Sequence, residues 1–461
     1  MGKIVDYIKK EKIIFLICFF VFVASLSYAF YFKIQPAVDS AAYDTIAMSI
    51  LGGNGYKADG PEVPLEIDGA IAYQGPVYPF FLAGVYGIFG HHYEVVWIIQ
   101  AFLRALTALF LFLICVKIFG DPSKAMQLDG QEGRKMGWFA ASFFGFYPDL
   151  IEIGSMLMSE TLFIFLTTLF VYIFLFFYKK ASCWNTISLA FVFGLIMLVR
   201  SSVGLFLPVL LFCFYRKKAW KFLVLFMFIF GVVMTPWAVR NYVVYDKFIP
   251  TMANFGFNPW VGNHEGADGE GGNMPELHQA IADLGPVDAN EYAAGQFKSF
   301  IKAHPFEYVR LTLTRLVKYF SFIRPLGFWF YQHGWSQMVF VASSAMASIV
   351  LFIFGFAGIF SVISPAGRGK KEKREELLYL IAFTFLTCLS IIPFLIETRY
   401  RLPVYPFMAI FAGIFVYRFI ISRKEYLKYL LISAGVLFLN SALNILMEYN
   451  KIIDKINQIF S

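Results

Sequence analysis

The amino-acid sequence predicts an all-α protein that crosses a membrane many times, and three observations carry that prediction. Of its 461 residues 59% are hydrophobic and only 15% charged, where soluble domains carry about a quarter. Apolar runs of helical length recur along the whole chain. Lys and Arg gather in short clusters between those runs, as the positive-inside rule requires of cytoplasmic loops. Phe alone contributes 56 residues, more apolar surface than a soluble core needs, so the bilayer must solvate much of it. The same clusters account for the net charge of +8. No basic stripe on a soluble fold is visible, so the expected partner is the lipid bilayer and not nucleic acid.

The first apolar run, 13–32, is long enough to span a membrane. Lys9, Lys10 and Lys12 precede it, and Ser27-Tyr28-Ala29 resembles a signal-peptidase site. The length of the run favours a retained helix. Further runs at 93–117, 136–150, 157–178, 184–199, 201–215, 219–239, 336–362, 377–396, 402–421 and 427–447 bring the count to about eleven, within a range of nine to thirteen. Lys3, Lys9, Lys10 and Lys12, then Lys124, Arg134 and Lys135, Lys179-Lys180, Arg216-Lys217-Lys218, the cluster from Arg368 to Arg374, and Arg423-Lys424 all fall on one side of these segments.

Two large segments then lie on the opposite, outer side. The first, 33–92, holds two stretches, 40–51 and 78–89, that read as helices lying in the interface. The second, 241–335, opens on a Gly/Asn/Pro-rich loop, 254–272, and continues as mixed helix over 290–319, with Lys302, Arg310, Arg315 and Lys318. The chain thus divides into a transmembrane module 1–240, an outer region 241–335 and C-terminal transmembrane helices 336–461, whose tail after Met447 is also outer. Cys18, Cys115, Cys183, Cys213 and Cys388 lie in or beside apolar runs without a CxxC pair, and so suggest neither a disulfide framework nor a zinc site.

Polar residues at membrane depth are costly and mark candidate sites. Here they sit at the outer ends of apolar runs: Asp39 with Tyr43 after the first, Asp149, Glu152 and Glu160 around the third outer turn, Arg200 between two runs, Arg240-Asn241 at the end of the seventh, and Glu397, Arg399, Tyr400 and Arg401 between two late ones. Carboxylates of this kind supply a general base and hydroxyl contacts. Arginines supply fixed charge for a phosphate. No P-loop or dinucleotide fingerprint is present, so an activated group carried by a lipid fits better than a nucleotide.

These segments resemble the GT-C superfamily of membrane glycosyltransferases, of the protein-O-mannosyltransferase and aminoarabinose-transferase type. The resemblance rests on Asp39 with Tyr43, on Gln74-Gly75-Pro76-Val77-Tyr78-Pro79, on Tyr147-Pro148 through Ser159-Glu160, on Pro236-Trp237 to Arg240-Asn241-Tyr242 with Gly262-Asn263, and on the stretch 397–406. It implies a GT-C-like fold in a bacterial inner membrane with the active site on the periplasmic or extracellular face. It implies a polyprenyl-phosphate-linked sugar donor, a glycolipid, glycan or protein acceptor, and Asp39 as the catalytic residue. Substrate contacts would come from Tyr43, Gln74, Tyr78, Asp149, Glu152, Arg200, Arg240, Asn241, Glu397, Arg399 and Tyr400. The chain departs from some members at Tyr73-Gln74-Gly75, which carries no basic residue. Phosphate binding then falls to Arg200, Arg240, Arg399 or Arg401, and of the last two only one would reach the pocket if the segment were extended.

Each candidate also has a plainer role. Asp39 opens a helical stretch and suits an N-cap. Tyr43 suits interface anchoring, Asp149 and Glu152 a solvated turn, Glu160 a cap or loop pairing, and Arg200 and Arg240 snorkelling to headgroups. His91-His92 marks the membrane boundary. His264, Glu265, Asp268 and Glu270 invite a metal, but the spacing is neither HExxH nor an EF-hand. No metal site is expected there, a divalent ion remains open elsewhere, and a lid over the site is the better reading of that loop. The competing function is a multi-pass transporter or lipid flippase, against which stand the lack of an inverted repeat or broken helix and the placement of charges at one face.

Overall fold

The computed structural model describes residues 11–58, 73–120, 131–272, 274–323, 331–364, 371–451 and 453. Lys3, Lys9, Lys10, Lys124, Arg368, the middle of the first outer segment and most of the C-terminal tail lie outside the described residues. Among the described residues the secondary structure is helical, with an isolated bridge between Glu270 and Ile396.

The order is α1 Lys12–Phe32, α2 Asp39–Leu51, α3 Val77–Phe89, α4 Tyr93–Phe119, α5 Glu132–Gly145, α6 Pro148–Ile153, α7 Ser159–Lys179 and α8 Cys183–Val199. A 3₁₀ turn Ser201–Phe206 leads into α9 Leu207–Arg216, and α10 Trp220–Tyr245 follows. The outer region supplies α11 Phe257–Gly262, α12 Pro275–Ala303 and α13 Pro305–Phe320. Then come α14 Gly334–Ile363, α15 Lys371–Leu389, a second 3₁₀ segment Thr398–Val404, α16 Tyr405–Ile421 and α17 Arg423–Met447.

Each of the eleven apolar runs therefore contains a helix. Seven segments are long and apolar enough to cross a membrane: α1, α4, α7, α10, α14, the run Thr398–Ile421 and α17. This is a multi-pass membrane protein. The other four runs, α5, α8, the 3₁₀–α9 unit and α15, are shorter or open on charged residues.

Helix ends differ from the expected ones where proline or glycine intervenes. The run 136–150 breaks after Gly145, and α6 starts afresh with Pro148 in its first turn, where its missing N–H costs nothing. The run 377–396 ends at Leu389, ahead of Pro393. The mixed helix starts earlier than 290, at Pro275, and is kinked at Gly285, whose φ of 76° precedes Pro286. It breaks again at His304-Pro305.

At the centre α5, α14 and α16 pack together, with α4 against α5. At the periphery, α1, α10 and α17 have only 22% of their apolar windows buried, so most of their surface faces lipid. A charge also sits in the middle of a spanning helix, contrary to the expectation of charges at one face only. Arg104, in mid-α4, is buried. It donates from Nη1 to Ser25 Oγ on α1 and from Nη2 to the Gly145 carbonyl at the end of α5, 2.9 Å away.

Ion pairs mark both ends of the bundle. At one end Arg134 meets Glu11 at 2.8 Å, Arg216 meets Glu375 at 3.4 Å and Lys179 meets Glu376 at 3.6 Å. At the other, Lys318 meets Glu270 and Glu448 at 2.7 Å each, and Lys247 meets Glu291 at 3.0 Å. Residue 448 thus joins the outer region. In the first outer segment the Asp44 carboxylate accepts from Tyr86 at 2.6 Å and Tyr93 at 2.9 Å and faces His91 at 2.9 Å, which pins α2 to the α3–α4 turn.

Candidate active site

Stretches far apart in sequence meet around a cavity of about 780 Å³ at the end of the bundle opposite the Arg134–Glu11 pair. Asp39 and Tyr43 come from the first turns of α2, Gln74 and Gly75 from the turn before α3, Arg200 to Ser202 from the break after α8, and Arg399 and Tyr400 from the second 3₁₀ segment. Phe255, Phe257, Leu205, Leu389, Ile391 and Phe394 supply apolar walls.

Asp39 begins α2 in an unusual way. The preceding Val38 has φ 52° and ψ −117°, a left-handed value that strains a β-branched residue. That turn aims the Asp39 carboxylate at Arg399, whose Nη1 lies 2.6 Å from Oδ2. Arg399 also donates from Nε to Glu397 at 2.8 Å. Glu397 does not line the cavity itself. It lies against Gly271, beside the bridge that joins Glu270 to Ile396.

Arg200 forms the second cationic wall. Its Nη2 lies 2.6 Å from Glu160 Oε1 and donates to Ser159 Oγ at 3.3 Å. The Glu160 side chain is 0% exposed, so this pair is anchored from within. Tyr43 also donates to Ser159 Oγ, at 3.3 Å. Burial pushes the Tyr43 phenol up to about 12, Asp39 adding to the rise and Arg200 opposing it, so Tyr43 stays a hydrogen-bond donor near neutral pH. Ser159 thereby couples the tyrosine to the arginine. Asp39, Glu160, Glu397, Arg200 and Arg399 sum to three negative and two positive charges, close to balance before any substrate charge enters.

Two close approaches hold these walls in place. A Cβ on Gly75 would lie 2.5 Å from the carbonyls of both Leu198 and Val199, so the turn at 74–76 can press on the segment bearing Arg200 only with glycine there. A Cβ on Gly262 would lie 2.0 Å from the Phe394 carbonyl. Asn263 donates to that same carbonyl at 2.8 Å. Beneath them lies Arg315 on α13, 0% exposed. It donates from Nε to Ile392 O at 2.7 Å, from Nη1 to Gly262 O at 2.7 Å, and from Nη2 to Asn263 Oδ1 at 2.8 Å and Pro393 O at 3.0 Å. Sequence reasoning did not single out Arg315. Its one signal is an arginine on the face of an amphipathic helix that turns inward.

The remaining candidates are placed elsewhere. Tyr78 is buried behind Tyr43, edge to face at 5.0 Å, and donates to Gln100 Oε1 at 2.9 Å. Arg240 stacks among Tyr56, Trp237 and Tyr245 and donates to Tyr56 O at 3.1 Å. Asn241 donates to the carbonyls of Ile249 at 2.9 Å and Thr251 at 3.2 Å. Arg240 ties α10 to the first outer segment and Asn241 fastens the loop after α10, and neither lines the cavity.

Asp149 and Glu152 are fully buried and also off the cavity. Asp149 accepts from Ser344 Oγ and lies 3.8 Å from Arg401, which donates to Ser321 O at 2.7 Å. Glu152 accepts from the Tyr331 hydroxyl. Of the two late arginines, only Arg399 reaches the cavity.

His264 is half-buried and Glu265 exposed, and His304 lies 3.1 Å from Glu265. Asp268 pairs with Lys451 and Glu270 with Lys318. Among the described residues no three His, Cys, Asp or Glu side chains group as a metal-holding cluster. The glycine-rich loop is tied to α13, to residue 396 and to the segment after α17.

Neither a family model nor a curated protein matches the sequence. Comparison with solved structures finds the oligosaccharyltransferase AglB of Archaeoglobus fulgidus in complex with an inhibitory peptide and a dolichol-phosphate, at 13% identity and a TM-score of 0.48, covering 92% of this chain and 55% of that one. The same organism's oligosaccharyltransferase tethered to an acceptor peptide is similar at 14% identity and TM-score 0.48, covering 93% and 53%. This chain thus spans about half the length of those two. ArnT of Cupriavidus metallidurans bound to undecaprenyl phosphate is similar at 13% identity and TM-score 0.39, covering 89% and 78%.

Proposed function

We propose that this chain is a membrane glycosyltransferase of the GT-C type, which moves a sugar from a polyprenyl-phosphate donor to an acceptor hydroxyl at the non-cytoplasmic face of a bacterial inner membrane. The observation that carries the reading is one cavity that combines a carboxylate, Asp39, with two arginines, Arg200 and Arg399, beside apolar walls. A lipid-linked phosphosugar needs those three environments together. Asp39 takes the proton of the acceptor hydroxyl. The freed oxygen bonds to the anomeric carbon, and the bond from that carbon to the phosphate oxygen breaks on the opposite face. Configuration inverts, and the polyprenyl phosphate leaves with the bonding electrons. Arg200 and Arg399 meet its growing charge, the kind of preset electrostatics that contributes most in such sites. Tyr43, Gln74 and Tyr400 are the cavity residues disposed to contact the sugar.

The test is donor turnover. Purified protein and its Asp39→Asn variant are offered a panel of radiolabelled polyprenyl-phosphate hexoses and pentoses with crude membrane acceptor. The expected result is loss of label from one donor with wild type and a fall of at least about a thousandfold in the variant, within the range expected for a general base working in an organised site. Equal turnover by the two proteins would remove Asp39 from the chemistry. No turnover of any donor by folded protein would remove the enzyme class.

A further inference from the structure

We infer that Asp39 and the phosphate of the donor are mutually exclusive partners of Arg399, so that donor binding is the event that frees the base. This inference rests on the reading of a lipid-phosphate donor given above. Its ground is the geometry of a single guanidinium. Arg399 gives Nη1 to Asp39 at 2.6 Å and Nε to Glu397 at 2.8 Å. Phosphate recognition by arginine uses two parallel N–H bonds from one edge. The edge that carries Nη1 is turned to Asp39, and both residues line the cavity. A phosphate in that cavity therefore meets an arginine that already serves a carboxylate.

The two carboxylates on Arg399 differ in how they are held. Glu397 is two residues away on the same segment, does not line the cavity, and lies against Gly271 beside the bridge to residue 396. It keeps Arg399 aimed inward throughout. Asp39 arrives from a separate helix, is 27% exposed, and follows the strained Val38. It is the partner that gives way. Arg200 does not offer the same exchange, because Glu160 is sealed behind it.

A functional order follows. While Asp39 Oδ2 accepts from Arg399, the carboxylate is held toward that guanidinium with one of its two oxygens engaged. Once the phosphate holds Arg399, the carboxylate turns to the cavity beside the anomeric carbon. Acceptor hydroxyls thus meet a carboxylate with both oxygens released only in the donor complex, which favours an ordered mechanism with the donor first.

The experiment measures binding of polyprenyl monophosphate, without sugar, to the full chain in detergent. Four proteins are compared: wild type, Asp39→Asn, Arg399→Gln and the double variant, with melting curves to establish folding. Asp39→Asn is expected to bind about 1.5- to 5-fold tighter, the scale of one partly exposed ion pair released from competition. Arg399→Gln is expected to bind about tenfold weaker. In the Arg399→Gln background the gain from Asp39→Asn should vanish, which is the coupling a double-mutant cycle reads. If Arg399→Gln does not fold, Arg399→Lys takes its place, since it keeps the charge and loses the two-bond edge. Affinity unchanged or weakened in Asp39→Asn overturns the inference. A gain that persists without Arg399 also overturns it, because Asp39 would then act by through-space repulsion alone. Failure of folded wild type to bind the lipid phosphate overturns the donor reading itself, a result distinct from the other two.

Discussion

At the residue scale, two side chains make separable predictions. Val38 holds a left-handed φ of 52°, a conformation costing about 1–3 kcal/mol for a β-branched residue. Glycine relieves it at a cost of about 0.5–1 kcal/mol in chain entropy. Val38→Gly should therefore raise stability by about 1 kcal/mol, read as a higher melting temperature, while turnover falls because the aim of Asp39 is no longer fixed. Glu152 makes the second prediction. Burial raises its pKa well above the usual carboxylate value of 4.5. The folded state then holds a proton that the unfolded state gives up, so Glu152 withdraws stability as pH rises above about 4.5. Glu152→Gln, which keeps an oxygen to accept from Tyr331, should gain on wild type in melting temperature from pH 5 to pH 8. A constant difference across that range would mean that Glu152 is ionised in the fold.

At the element scale, the walls of the cavity depend on groups that never touch it. Arg315 is buried and holds four acceptors on two loops. Arg315→Ala orphans them, and should lower stability by about 3–5 kcal/mol. Lysine should restore only part of this, because one ammonium cannot reproduce the fork. Gly75→Ala tests the opposite wall. Its Cβ would sit 2.5 Å from two carbonyls, so the segment bearing Arg200 must shift. Polyprenyl phosphate binding should fall in this variant at a modest cost in melting temperature.

These elements also show what the sequence could and could not disclose. Asp39, Arg200 and Arg399 were legible because each is a charge at the edge of an apolar run, where its cost advertises it. Arg315 and Lys318 were not, because they share α13 with the exposed Arg310, and a polar helix in an outer loop gives no cost signal. Asp149 and Glu152 carried the same signal as Asp39, yet the fold turns Asp149 toward Ser344 on α14 and Glu152 toward Tyr331, and neither toward the cavity. The signal reports burial of charge and does not say in which pocket. Helices were found by the apolar runs, and the breaks near Gly145 and after Leu389 were missed because the apolar character continues through them.

At the scale of the whole molecule, the chain shuttles between an end rich in Lys and Arg and an end that holds the cavity. If the first end is cytoplasmic, Cys183 provides a reporter, since it alone of the five cysteines is exposed and begins α8 beside Lys179 and Lys180. In sealed right-side-out vesicles a membrane-impermeant maleimide should leave Cys183 unlabelled until the vesicles are opened. Labelling of intact vesicles would invert the orientation and put the cavity inside the cell.

Arg104 links the finished architecture to its manufacture. A guanidinium in mid-helix costs about 2.5–3.5 kcal/mol when a lone segment enters the bilayer. Its two partners come from different moments of synthesis: Ser25 on α1 has already been made when α4 emerges, and the Gly145 carbonyl at the end of α5 has not. An α4 segment present before α5 therefore has one of its two hydrogen-bond partners in place. A ribosome stalled between α4 and α5 would leave a half-satisfied helix, for which a membrane chaperone or quality-control protease would compete, and Arg104→Leu should free the nascent chain from that interval.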